Sequence, residues 1–171
     1  MSKQRPPITL RAIEPEDLDL LYRIENDVKL WNVGISNVPY SRYALHDYLT
    51  NVTGDIYVDR QVRMIIENAE GQVVGMVDLV NFDPSNLRAE LGLLIEEPYR
   101  GRGYDYSTME EIARYAHNVL HLHQIYAVID TQNESCLKLF RQLGYQESVV
   151  LKEWLFDGSA YRDALVMQLV L

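Results

Sequence analysis

Apolar and polar residues alternate at the start of the chain, repeat at helical spacing, alternate again through the middle, and return to each pattern once more before the end. Ile8-Thr9-Leu10-Arg11-Ala12-Ile13 reads as a first strand. Glu14-Pro15-Glu16-Asp17 then opens a helix, with proline where the first turn has no N–H to lose. Leu18, Leu21, Tyr22 and Ile24 fall on one helical stripe, and residues 26–39 hold no period, so they form a loop carrying Trp31. Ser41 caps a second helical segment whose apolar positions are Tyr43, Leu45, Tyr48 and Leu49, and Thr53-Gly54-Asp55 breaks it. Residues 62–67 and 73–82 flank the turn Ala69-Glu70-Gly71-Gln72 as a hairpin, and Asp83-Pro84-Ser85-Asn86 turns the chain into a third strand at 88–95. From Ser107 the spacing becomes helical, with Met109, Ile112, Ala113, Ala116, Val119 and Leu120 on one face, and 125–129 follow as a buried strand. A last helix at 136–143 stops at Gly144, and strands at 147–156 and 164–171 pair across Asp157-Gly158-Ser159-Ala160.

The strand, helix and strand from residue 88 to 129 form a right-handed crossover, so those two strands are parallel. No repeat, linker or change of composition interrupts the pattern. It predicts one α+β domain over residues 1–171, with a mostly antiparallel mixed sheet around one parallel pair. A length of 171 residues suffices for a core without crosslinks. With Cys136 the only cysteine, an intrachain disulfide and a thiolate zinc site are both excluded. The formal charge of −9 opposes binding along a phosphate backbone and suits a cationic small molecule better than nucleic acid, although most such charge serves as a solvated surface. The N-terminal residues form no apolar leader and no stretch nears the ~18 apolar residues that span a bilayer, so a cytoplasmic location away from membranes is expected.

Candidate chemistry concentrates at Glu97-Pro98-Tyr99-Arg100-Gly101-Arg102-Gly103-Tyr104, between a strand and a helix. Successive backbone N–H groups at such a junction converge on an anion, and Gly101 and Gly103 carry no Cβ to keep a phosphate away. The pattern alone is equally compatible with a plain tight turn.

The segment from Asn133 through Phe140 to Leu143-Gly144-Tyr145 separates the two readings. It resembles the Asn…aromatic…Leu-Gly-Phe/Tyr segment of GNAT acetyltransferases. With Ala89-Glu90-Leu91-Gly92-Leu93-Leu94-Ile95 before the loop, and Trp154…Phe156-Asp157-Gly158…Tyr161-Arg162-Asp163 near the end, the chain is similar to the branch that holds spermidine and ribosomal-protein N-terminal acetyltransferases. The resemblance runs from roughly residue 10 to 171 and implies the GNAT fold, with its parallel pair splayed and flanked by helices. It also implies acetyl-coenzyme A as co-substrate, no metal, and direct attack by a primary amine, either a polyamine or a protein N-terminus. A homo-oligomer is compatible with this reading, which fixes no oligomeric state. A non-catalytic module that binds coenzyme A or a metabolite is the alternative.

On these residues the resemblance lays the pantetheine arm and thioester along Leu93, Leu94 and Ile95. It wraps the pyrophosphate with Arg100, Gly101, Arg102, Gly103, Tyr104 and Asp105, and sets Asn133 on the cofactor's other side. Seven residues after that asparagine the family commonly has a tyrosine that protonates the departing thiolate; here it is Phe140, which has no proton to give. Asp105 stands where the family has Gly or Ala and brings a carboxylate toward the phosphates, unless it serves as a cap at the helix start. Glu90 is the candidate base for the acceptor ammonium, the alternative being an ion pair with Arg88 or a neighbouring strand. His117, His121 and His123 lack a carboxylate at ligand spacing and read as surface or helix-end residues. Cys136 reads as core packing, and Trp31, Trp154 and Tyr161 as acceptor-channel or core aromatics.

Overall fold

The computed structural model describes residues 5–27 and 38–171. Trp31 and most of the expected loop at 26–39 lie outside the described residues. Strand β1 (Ile8–Ala12) leads through a short 3₁₀ turn (Pro15–Asp17) into α1 (Leu18–Glu25). The turn is tied by a reciprocal box in which Asp17 accepts the Glu14 backbone N–H at 2.8 Å. Then come α2 (Arg42–Asn51), capped by the Ser41 hydroxyl, and a one-turn α3 (Ile56–Asp59) capped by Asp55. The sequence pattern gave no sign of α3, because four residues hold too few positions for a period to register.

Strands β2 (Val62–Asn68), β3 (Val73–Asp83) and β4 (Arg88–Ile95) pair antiparallel in turn. Asn68 shapes the β2–β3 turn by accepting the backbone N–H groups of Glu70 and Gln72 at 3.1 and 2.9 Å, as turn asparagines do. Helix α4 (Tyr104–Asn118) crosses to β5 (Gln124–Asp130), α5 (Glu134–Gln142) follows, and β6 (Gln146–Phe156) and β7 (Tyr161–Val170) close the chain. Helix α4 starts three residues before the expected Ser107 and ends at Asn118. Val119, expected on its apolar face, is therefore solvent-exposed beyond the helix. The seven strands form one sheet in the order β1-β2-β3-β4-β5-β7-β6, and β4–β5 is its parallel pair.

One face of the sheet holds the main core. Ala89, Leu91 and Ile95 of β4, Ile125, Ala127 and Ile129 of β5, and Leu165 and Met167 of β7 meet Met109, Ile112 and Ala116 of α4 and Leu137 and Phe140 of α5. Each fully buried aliphatic side chain there contributes ~1.5–3 kcal/mol. Arg63 and Ile65 of β2, paired with Asp78 and Met76 of β3, alternate to the opposite face, where Glu25 of α1 and Tyr48 of α2 reach Arg63. Beyond the end of β5 the β6–β7 hairpin continues alone, fastened at its base by Arg162 to Asp130, Gln132 and Asp157. Trp154 and Tyr161 sit on this hairpin, 59% and 66% exposed, and so are not the core aromatics that their type suggested.

Candidate functional site

Strands β4 and β5 pair over only three residues, Arg88–Glu90 against Gln124–Tyr126, and then diverge. Beyond the fork β4 is held only by β3 and β5 only by β7. The facing edges from Leu91 and from Ala127 onward thus present backbone N–H and C=O groups to a wedge. Leu93, Leu94 and Ile95 lie on this edge of β4, where the sequence reading set the thioester. Gly92 lies among them, and a Cβ there would stand 3.6 Å from that of Asp78 on the neighbouring strand.

Past β4 the chain makes a 3₁₀ turn at Glu97–Tyr99, and Arg100 folds back so that its Nε donates to the Ile95 carbonyl at 2.8 Å. Gly101 and Gly103 have φ of +72° and +88°, the left-handed region that side chains disfavour, and Gly103 occupies the N-cap position of α4. Arg100 and Gly101 form the middle of a hydrogen-bonded turn closed by the Arg102 N–H, while the backbone N–H groups of Gly101, Gly103, Tyr104 and Asp105 have no hydrogen-bond partner among the described residues. They form a row of unmet donors at the positive end of a 15-residue helix. Such a nest fits a pyrophosphate. Arg102 lies 5.9 Å from the Tyr99 ring, and Tyr104 packs edge-on against the same ring.

Asp105 occupies the first turn of α4 rather than its N-cap position, which is Gly103, and its Oδ1 accepts the Tyr106 N–H at 2.8 Å. Its charge is also felt across the gap between α4 and α5. The Cys136 thiol is pushed up to about 11, mainly by burial and further by Asp105, so it stays protonated at neutral pH and is no nucleophile. On the α5 side, Asn133 Oδ1 is taken by the Cys136 N–H and the Ser135 hydroxyl at 3.2 and 3.1 Å. The Asn133 amide nitrogen has no hydrogen-bond partner among the described residues.

Phe140, two turns beyond Asn133 along α5, is buried and packs at 4.7 Å against Tyr145, whose hydroxyl is enclosed with no hydrogen-bond partner among the described residues. Burial drives that phenol well above its ordinary range. Both rings of this aromatic pair are buried in the core, and the phenol belongs to Tyr145.

Glu90 stands at the fork itself, in register with Tyr126 of β5. It does not pair with Arg88, which binds Asp83 at 3.0 Å. Instead it accepts from Asn81 Nδ2 at 2.8 Å. Asn81 reaches it because β3 bulges there and turns Asn81 to φ +52°. Tyr126, absent from the sequence reading, has its phenol raised by burial and by the Glu90 charge.

The same reading missed a second polar group on the α1–α2 face. Arg63 binds Asp78 through two hydrogen bonds, at 2.9 and 3.1 Å, and Glu25 at 2.8 Å. Burial works against its charge, but Asp78 first and then Glu25 outweigh it and hold the guanidinium ionised. Only the inward alternation of Arg63 and Asp78 within otherwise apolar strands signals this group in the sequence. His117, His121 and His123 are exposed, and His121 lies past the end of α4 rather than on a shared helix face.

The sequence matches the family model described as acetyltransferase (GNAT) domain over residues 8–146. It is 26% identical over 160 residues to spermidine N(1)-acetyltransferase of Escherichia coli strain K12, covering 94% of this chain and 84% of that one. It is 24% identical over 167 residues to the putative ribosomal N-acetyltransferase YdaF of Bacillus subtilis, covering 95% and 91%. Its fold superimposes on the crystal structure of spermidine N-acetyltransferase from Vibrio cholerae in complex with CoA and spermine, with a TM-score of 0.86, 23% identity and 95% of each chain covered.

Proposed function

Because the chain belongs to the acetyltransferase (GNAT) family, we propose that it is an N-acetyltransferase whose acceptor is a polyamine. It moves an acetyl group from acetyl-coenzyme A to a primary amine. The observation that carries this reading is the three-residue fork of β4 and β5 with a row of unmet amides at its mouth. The first gives a slot with a free strand edge, and the second gives an anion cradle at the slot's entrance.

In this reading residues 100–105 hold the pyrophosphate, with the Asn133 amide nitrogen opposite, and the free edge of β4 at Leu93, Leu94 and Ile95 receives the thioester. Backbone N–H groups of that edge stabilise the charge that grows on the carbonyl oxygen. Holding amine and thioester in line supplies much of the remaining acceleration. Glu90 takes the proton of the acceptor ammonium, directly or through water, and the neutral nitrogen attacks. The N–C bond forms as the C–S bond breaks, and the nitrogen releases its second proton to water. The thiolate collects its proton from water, since Phe140 cannot supply one.

Polyamine specificity is supported by the naming of the relatives and by the acidic character of the α1–α2 face. Glu25 and Asp78 meet there with Arg63, and Glu90 stands at the fork bound by Asn81. Reading the chain as a non-catalytic coenzyme module is not favoured, because Phe140 removes one proton donor and leaves the slot and cradle intact. Thiol release from acetyl-coenzyme A, followed over a panel of spermidine, spermine, simple amines and peptide N-termini with products identified by mass, tests the assignment. Turnover on peptides with none on polyamines would overturn it.

A further inference from the structure

Residues 5–7 precede β1 and cross the first turns of α4. The Arg5 guanidinium lies 3.3 Å above the Tyr106 ring centroid and binds Glu110 at 2.9 Å. The Pro6 carbonyl accepts the Ser107 hydroxyl at 2.8 Å, and Pro6 Cδ would stand only 3.2 Å from a Cβ at Gly103. Two consecutive residues thus touch four positions, Gly103, Tyr106, Ser107 and Glu110, from more than 90 positions away in sequence. Gly103 has no side chain with which to cap α4, so the start of that helix is held from outside by the strap and from within by Asp105. Pro6-Pro7 fixes two backbone φ angles before docking, which lowers the entropy cost of laying the strap down.

With residues 100–105 taken as the pyrophosphate cradle, we infer that Arg5 and Pro6 are positioning residues for coenzyme A binding. The strap holds the first turn of α4, and with it the row of free amides, in the arrangement the ligand needs. Arg5 acts as a strut: its charge is already matched by Glu110 and its face by Tyr106. The inference rests on the proposed cofactor site, and its test separates the two.

Calorimetric titration of coenzyme A into the full chain, into Arg5→Ala, into Ser107→Ala and into the double variant reads the effect. Each single change weakens binding about 5-fold, as loss of preorganisation does. The double variant weakens it by less than the product, because both changes release the same strap. Ser107→Thr keeps the hydroxyl and restores the affinity. In turnover, KM for acetyl-coenzyme A rises while kcat does not fall, and the melting temperature changes little. Equal affinity in wild type and variants overturns the strap while leaving the cradle. A wild-type chain that does not bind coenzyme A overturns both. An Arg5→Ala effect that high salt abolishes would make Arg5 a direct counterion of phosphate and overturn the strut.

Discussion

In the proposed site Phe140 takes the position of a family tyrosine, and the neighbouring phenol of Tyr145 is sealed in the core. Phe140→Tyr restores a donor without altering the ring. With a good polyamine acceptor, kcat is expected to rise by up to ~10²-fold, the low end of general acid effects, while KM for acetyl-coenzyme A stays nearly constant. An unchanged kcat in steady-state assays would mean that protonation of the thiolate is not limiting. Asp105 accepts the Tyr106 N–H and, in the proposed site, also places a negative charge beside the phosphate cradle. Asp105→Ala is therefore expected to tighten coenzyme A binding, more at low than at high ionic strength, with a small loss of thermal stability. Weaker binding in calorimetry would leave the bond to Tyr106 as its whole role. Phe140 and Asp105 are legible in the sequence as departures from a motif. The burial of Tyr145 is not, because enclosure depends on partners that no local pattern names.

Strands announce themselves by alternation, and β1 to β4 fall close to where that pattern predicts. The start of α4 does not, because Tyr104, Asp105 and Tyr106 carry no apolar period, and the strap that supports this turn comes from the far end of the chain. The ties among elements are hidden for the same reason. Arg63 joins β2 to β3 and α1 across separations of 15 and 38 residues. Arg63→Ala leaves Asp78 and Glu25 facing each other without a cation. A destabilisation toward the lower end of the ~3–5 kcal/mol typical of a broken buried pair is expected, since about 20% of the Arg63 side chain is exposed. Denaturant unfolding measures it, and a loss below ~1 kcal/mol would show that water already screens the group. In the cofactor loop Gly103→Glu places a side chain at φ +88° and a charge among the free amides. Coenzyme A binding is expected to vanish with the sheet intact by circular dichroism, and retained affinity would remove the loop from the site.

For the molecule as a whole, the mixed sheet and its single parallel pair follow from the order of strands and helices, since one crossover between 95 and 124 permits little else. Its response to acid follows from pairings that the order does not reveal. Asp17, buried and bound by Arg11 at 2.8 and 2.9 Å, is held below the ordinary carboxylate range, first by those hydrogen bonds and also by the Glu14 N–H. A carboxylate lowered in the folded state stabilises the fold above its unfolded value of 3.8 and loses that contribution as pH falls through the folded one. Wild type is thus expected to gain stability relative to Asp17→Asn as pH rises through the folded value toward 3.8 and to keep that gain above it, and the two should converge in strong acid. Parallel curves in pH-dependent thermal melts would show that Asp17 is not the group responsible. The fork bears on integrity as well as on chemistry. Among the described residues the sheet's two leaves, β1–β4 and β5–β7, pair over three residues of β4 and β5, extended by the His123 N–H on the Leu87 carbonyl, so the sheet is stitched along a short seam. A molecule seated in the wedge acts there as mortar, and coenzyme A should slow amide exchange in both leaves together, far from any atom it touches.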